Sequence, residues 1–183
     1  MKNYVYFNKI NYEIVDKRVF SLPDITGVTL DSSFVKAESV FNLIKLLKMY
    51  DGKVNIPECA WREELNNPSS GGYIPIYEEE KRSTIAQFEF IQENCTAECV
   101  AWQDLLTGSP VDISATLVTV DGMRCGFTRD YHVCANILFM GGSYVYGITH
   151  DELSRSHGLA NFKNRHIERV NRLLSNLKIK NNN

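Results

Sequence analysis

Five cysteines and four histidines are the side chains of this 183-residue chain best suited to nucleophilic or metal chemistry. Cys95 directly follows Asn94, a good N-cap residue, so this pair predicts a cysteine at the start of a helix. The helix dipole and the free N–H groups there lower a thiol pKa and stabilise the thiolate. The same N–H groups bind an oxyanion, and the side-chain amide of Gln92 adds a donor. Cys95 is therefore the candidate nucleophile.

A histidine and an acid follow Cys95 in an order that suits proton transfer. The alternating pattern over 130–139 predicts a strand that carries His132. An imidazole there would take the thiol proton and return it to a leaving group. Asp151, near the end of the next predicted strand, would orient the imidazole. The predicted catalytic set is therefore Cys95, His132 and Asp151 with Gln92 at the oxyanion, and Cys99 is an alternative nucleophile.

This order resembles the papain-like and transglutaminase-like cysteine hydrolases, which include bacterial type III effectors and glutamine deamidases. The resemblance covers about residues 90–151, and Gln92 is similar in placement to the oxyanion glutamine of those enzymes. It implies hydrolysis or transfer at an amide bond of a protein or peptide, by a bacterial virulence enzyme such as a thiol protease or deamidase. No cofactor and no metal ion enter this interpretation. The chain departs from the family in having no tryptophan after His132.

Two alternatives stay open at this point. A four-ligand zinc site could use Cys95, Cys99, His132 and Cys134, although the spacing matches no common zinc module. The chain could also be a non-enzymatic binding protein, such as an immunity protein, an inhibitor or a phage anti-defence factor. In that case the same cysteines and histidine are ordinary core residues.

Hydrophobic periodicity predicts the elements that position these residues. Helices are predicted at 34–50, 58–66, 84–106 and 151–178, and strands at 4–7, 11–15, 112–120, 130–139 and 143–149. Gly141 and Gly142 predict a tight turn that makes the last two strands a hairpin. We therefore expect an α+β fold, with helices packed on a mostly antiparallel sheet and a papain-like or transglutaminase-like core. The prediction is one domain over 1–183, with a seam or flexible loop at 66–72.

Composition narrows the class of protein. Hydrophobic residues make up 44% and charged residues 23%, which excludes intrinsic disorder. A net charge of −2 argues against a dedicated nucleic-acid binder. No apolar run is long enough for a transmembrane helix, and the N-terminus lacks a Sec signal pattern. We expect a cytoplasmic protein, or one exported by a Sec-independent system, with reduced thiols. Its basic C-terminal helix could contact an acidic partner or a membrane surface, or be a solvated face that balances the acidic middle of the chain.

Overall fold

The structure is a computed structural model, and it describes residues 4–7, 12–14, 27–37, 54–65 and 83–182. The strands are β1 (Tyr4–Phe7), β2 (Tyr12–Ile14), β3 (Val28–Leu30), β4 (Val54–Pro57), β5 (Glu89–Ile91), β6 (Cys125–Thr128) and β7 (Ser143–Thr149). The helices are α1 (Ser32–Ala37), α2 (Glu58–Leu65), α3 (Ala97–Trp102), α4 (Pro110–Asp121), α5 (Tyr131–Phe139), α6 (His150–Arg155) and α7 (Leu159–Asn181). The predicted loop at 66–72 lies outside the described residues.

The described strands form one sheet in the order β2-β1-β7-β6-β3-β4-β5. The five neighbours β7-β6-β3-β4-β5 are all parallel. Strand β1 adds to β7 in parallel, and β2 pairs antiparallel with β1 at the edge. The prediction of a mostly antiparallel sheet with a papain-like or transglutaminase-like core is therefore wrong. Helices flank the parallel strands, which is a Rossmann-like α/β arrangement.

The predicted strand at 112–120 is wrong because the segment belongs to helix α4. Ser109 is its N-cap and accepts a hydrogen bond from the Asp112 backbone N–H, while the Asp112 carboxylate accepts one from the Ser109 N–H. This reciprocal capping box, with Pro110 in the first turn, starts a helix. The β-branched residues that favour a strand are accommodated, since the Thr116 and Thr119 hydroxyls donate to carbonyls one turn back. The Ser109–Pro110 pair therefore begins a helix at the position where the pattern predicts a strand.

The predicted strand at 130–139 is wrong for a different reason. The segment forms α5, in which five successive residues from Val133 to Ile137 are buried. A helix buried on all sides shows no 3.6-residue period, so its sequence does not distinguish it from a strand. Gly141 and Gly142 do not make a hairpin turn. Their N–H groups donate to the Leu138 and Ile137 carbonyls, and Gly141 has a φ of 80°, which is a Schellman helix end.

The remaining predicted elements have mixed outcomes. The strands at 4–7 and 143–149 and the short helix at 58–66 are confirmed within a residue. The helix at 84–106 is wrong, because β5 and the six-residue α3 occupy that stretch. The C-terminal helix is broken between α6 and α7, where His157 and Gly158 have positive φ. No helix in the described part of the chain combines the length and apolar character needed to cross a membrane.

Helices pack on both faces of the sheet. On one face, the ring of Phe127 in β6 packs edge-to-face on Phe34 of α1, with centroids 5.5 Å apart. On the other face, Gly126 lies beneath Thr119 of α4 and Ile137 of α5. A Cβ atom at residue 126 would lie 2.7 Å from Ile137 Cδ1, so glycine permits this close approach. Because both faces are covered, β6 and its neighbour β3 are fully buried.

Candidate functional site

Cys95, the predicted nucleophile, is joined to Cys59 in a disulfide. The expectation of reduced thiols is therefore wrong for this pair, whereas Cys99, Cys125 and Cys134 are free and buried. Cys95 lies two residues before α3, and the Asn94 side chain accepts hydrogen bonds from the first N–H groups of that turn. The helix itself begins at Ala97 with Thr96 as its N-cap, so the predicted start at Asn94 and Cys95 is wrong by two residues, and in the disulfide form Cys95 has no thiol to ionise.

His132, the predicted base, lies in the first turn of α5 and not on a strand. Its ring Nδ1 is hydrogen-bonded to the Thr107 hydroxyl at 2.8 Å. Gln92 is exposed, and the side chain of Asp151 lies outside the described residues. The set of Cys95, His132 and Asp151 therefore stays a prediction, although its supporting premise of a strand-borne histidine is wrong.

The four-ligand zinc alternative is not formed in the part of the chain that the structure describes. There, the cysteine-containing group whose ligand atoms lie within 4.8 Å of one another is Cys59, Glu93 and Cys95. Cys134 lies elsewhere, in the buried cluster that α5 forms with α7.

Three aspartates lie instead at one edge of the sheet. Asp31 directly follows β3, and Asp130 follows β6 after Arg129. Strands β3 and β6 are parallel neighbours, so their carboxyl ends meet at the same edge, where α/β proteins usually bind ligands. Asp112 joins them from the first turn of α4, a helix that packs against both strands.

Asp31 is the most unusual of the three, since a carboxyl group is rarely left fully buried. Only 2% of the residue is exposed. Its Oδ2 accepts hydrogen bonds from the hydroxyls of Ser33 and Thr128, but its buried Oδ1 has no hydrogen-bond partner. Burial is the largest cause that raises its pKa, with smaller contributions from the charges of Asp112 and Asp130, and the pKa reaches about 7. An unpartnered oxygen of this kind needs a cation or a proton.

The pKa of Asp112 is raised by the same two causes, burial and the charge of a neighbouring aspartate. Burial raises its pKa, and the negative charge of Asp130 raises it further, while Ser109 and the nearby His132 lower it. The Asp130 carboxylate accepts a hydrogen bond from the backbone N–H of His132 and caps α5. Each aspartate is thus held in place by a helix cap or a hydroxyl, and their charges repel one another.

The donor set fits a hard divalent cation. Carboxylate oxygens are the ligands that Mg²⁺ and Mn²⁺ prefer, and a bound cation would offset both the burial and the smaller charge repulsion that raise the two pKa values. The ligand oxygens of the three aspartates do not all lie within 4.8 Å of one another. Mg²⁺ keeps several of its waters and uses one or two carboxylates, so it does not need all three as direct ligands.

A basic cleft of about 380 Å³ adjoins Asp130. It is lined by Arg129, Asp130, Tyr131, His132, Arg169, Arg172 and Leu173. Arg129 is ion-paired with Glu152, and the Arg169 guanidinium lies over the Tyr131 ring at 5.1 Å. The exposed Arg172 lies one turn further along α7. Guanidinium groups bind phosphate oxygens in bidentate pairs, so this cleft suits a phosphorylated ligand.

Sequence reasoning missed the aspartate site although a signal for it exists. Two short apolar runs, 28–30 and 125–128, are each followed closely by an aspartate, and both runs form buried parallel strands. Asp31 also lies just before the predicted helix at 34–50, a position typical of a helix cap. Asp112 falls in the predicted strand at 112–120, a pattern that does not place it in the first turn of a helix.

Comparisons with known proteins give the fold alone. No family model matches the chain, and no curated protein matches it. The chain is similar in structure to a crystal structure of PAE2754 from Pyrobaculum aerophilum, with a TM-score of 0.50 and 17% sequence identity. The match covers 67% of this chain and 84% of that chain. At this identity the likeness supports a shared α/β architecture and carries no activity with it.

Proposed function

We propose that the chain is a divalent-cation-dependent phosphodiesterase that cleaves a nucleic-acid strand. One observation carries the proposal. The buried, unpartnered Oδ1 of Asp31 lies beside two further aspartates at the carboxyl edge of adjacent parallel strands. Structural carboxylates are usually paired with a cation or with N–H donors, and like-charged carboxylates in a cluster are typical of a cation site.

When bound, the cation supplies Lewis-acid polarisation of a phosphoryl oxygen and a water of lowered pKa. The chain's own part is to hold that cation and orient the substrate. Thr128 and Ser33 donate to Asp31 Oδ2 and fix the direction of Oδ1. The Ser109 N–H holds Asp112 Oδ2 in the same way. Hydrogen bonds that hold metal-binding carboxylates in this way set the geometry of the site and its affinity for the metal ion.

The basic cleft supports a phosphodiester substrate. Arg169 and Arg172 lie one turn apart on α7 and line the same cleft as Asp130, so they can contact successive phosphates of one strand. The Tyr131 ring is stacked on Tyr146 and has the Arg169 guanidinium over it, which holds that arginine beside the cleft. The net charge of −2 led to the expectation of no nucleic-acid partner, but a whole-chain charge does not describe one cleft.

The test is cleavage of labelled single-stranded RNA and DNA by the purified chain with Mg²⁺ or Mn²⁺. We expect activity that a chelator abolishes and that Asp31→Asn and Asp112→Asn each lower by about 100-fold or more, the upper end of losses for a metal site's supporting residues. Asp121→Asn, an exposed aspartate on the same helix as Asp112, is the matched control and should retain full activity.

Two results would overturn the proposal. Either no cation-dependent cleavage is seen with the folded chain, or Asp31→Asn and Asp112→Asn cleave as fast as the wild type. Cys95→Ala belongs in the same series, because the cysteine-hydrolase prediction requires Cys95 for amide-bond hydrolysis. The phosphodiesterase proposal requires that Cys95→Ala leave nucleic-acid cleavage intact.

A further inference from the structure

A second group of potential ligands lies away from the three aspartates. Cys59 lies in the first turn of helix α2 just after β4, whereas Glu93 and Cys95 follow β5, the strand that pairs with β4. The two parallel strands therefore bring the three side chains together. Their ligand atoms all lie within 4.8 Å of one another, and each residue is half-buried.

The position of the Glu93 carboxylate is not explained by the disulfide. Its Oε1 lies 2.7 Å from Cys59 Sγ and 3.8 Å from Cys95 Sγ. A disulfide sulfur carries no proton, so neither contact is a hydrogen bond while the bridge is closed. The Cys59 backbone N–H donates to Oε1 and the Ser114 hydroxyl interacts with the carboxyl group, but Oε2 is buried without a hydrogen-bond partner. In the oxidised chain a Glu93 carboxylate oxygen therefore faces the lone pairs of the disulfide sulfurs. A buried carboxylate needs a hydrogen-bond donor or a cation at such a position.

We propose that Cys59, Glu93 and Cys95 form a Zn²⁺ site when the disulfide is reduced. Two thiolates and one carboxylate are a donor set that suits this borderline-soft ion, with water in the fourth position. The two Cα atoms are 6.3 Å apart. A tetrahedral ion with Zn–S bonds of about 2.3 Å holds its sulfurs roughly 3.8 Å apart, which modest side-chain rotations from this backbone provide.

The redox step balances with a dithiol as the reductant. Reduction of the Cys59–Cys95 bond takes two electrons and two protons from the dithiol, which itself becomes a disulfide. Zn²⁺ then displaces both thiol protons into solvent as it binds. In the reverse direction a disulfide oxidant takes the two electrons from the thiolates and two protons from solvent, becomes a dithiol, closes the Cys59–Cys95 bond and releases Zn²⁺. The buried Ser114 hydroxyl, 3.5 Å from Cys59 Sγ, is placed to support the ligands from α4.

The test uses Co²⁺ as a spectroscopic probe for Zn²⁺ on the full chain, reduced with a dithiol and freed of metal. We expect one Co²⁺ per chain with sulfur-to-cobalt charge-transfer absorption, displaced by Zn²⁺ and absent from the oxidised chain. Cys59→Ser and Cys95→Ser should each lose the band or reduce it by about half. Glu93→Gln should weaken affinity by at least about tenfold, since even outer-sphere partners cost that much.

Matched controls test whether the absorption band comes from these three side chains. Glu98→Gln changes an exposed acid nearby, and Cys125→Ala removes a buried thiol on β6, so both should bind Co²⁺ as the wild type does. Asp31→Asn should keep the charge-transfer band, because the aspartate site has no sulfur. The zinc-site inference can therefore be confirmed or refuted independently of the proposed phosphodiesterase activity.

Three results would overturn it, provided circular dichroism shows a folded chain. The reduced chain could show no thiolate–cobalt band. Glu93→Gln could bind as tightly as the wild type, or Asp31→Asn could abolish the band.

Discussion

Replacing Asp31 by Asn should change how the stability of the metal-free chain depends on pH. The variant keeps an oxygen to accept from Thr128 and Ser33 but carries no charge. In the wild type the pKa of Asp31 is raised from 3.8 to about 7, mainly by burial. The folded chain therefore keeps this proton in a pH range where the unfolded chain has released it. Wild-type stability from this group is full below the unfolded pKa and falls as the pH rises toward 7.

The size of the effect follows from that shift. Keeping the carboxyl buried costs the fold about 2 kcal/mol at about pH 5 and about 4 kcal/mol at about pH 8, relative to a group that does not titrate. The stability of Asp31→Asn minus that of the wild type should therefore increase by about 2–3 kcal/mol between these pH values. Most other titrating groups are the same in both proteins, so their contributions to the pH dependence of stability cancel in this difference.

The assay is urea unfolding of both proteins in a chelator at the two pH values, with Asp121→Asn as the exposed control. Replacing the chelator by Mn²⁺ at the higher pH should stabilise the wild type by about 3 kcal/mol at a hundredfold excess over its dissociation constant, and the variant by far less. A difference between variant and wild type that does not change with pH, or that shrinks as the pH rises, would refute the reasoning.

Two further predictions concern the framework of the site. Ser109→Ala removes the hydroxyl that accepts from the Asp112 N–H, so unfolding by urea should show a loss of about 1 kcal/mol, whereas Ser175→Ala on the exposed face of α7 should show almost none. Gly126→Ala places a Cβ 2.7 Å from Ile137 Cδ1 and should cost about 1–3 kcal/mol. Adding Ile137→Val removes that methyl group, so the double variant should be less destabilised than the two single losses added together; strict additivity would contradict the packing account.

Sequence reasoning predicts correctly the helix at 58–66, which exposes one face, and the strand at 143–149, which is seven residues long and consists mostly of the strand-favouring Tyr, Val, Ile and Thr. It failed where elements are buried on all sides. Helix α5 is almost wholly apolar, and the strands β3 and β6 are three and four residues long, too short to show a period.

The candidate site was missed for a related reason. Its aspartates are far apart in the chain and meet only because β3 and β6 are parallel neighbours. Strand order comes from long-range pairing, which no local pattern encodes. The cysteine-based prediction depended on a strand and a hairpin that are instead a helix and its Schellman end. The Cys59–Cys95 pair likewise depends on β4 and β5 being neighbours.

The most direct test of the central claim is a calorimetric titration of the chain with Mn²⁺, with the Cys59–Cys95 disulfide kept closed so that these two thiolates cannot bind the ion. We predict saturable binding that Asp31→Asn weakens by about tenfold or more and that Asp121→Asn leaves unchanged. Equal Mn²⁺ affinity in the wild type and in Asp31→Asn, or no Mn²⁺ binding at all, would contradict a cation site at the carboxyl edge of β3 and β6.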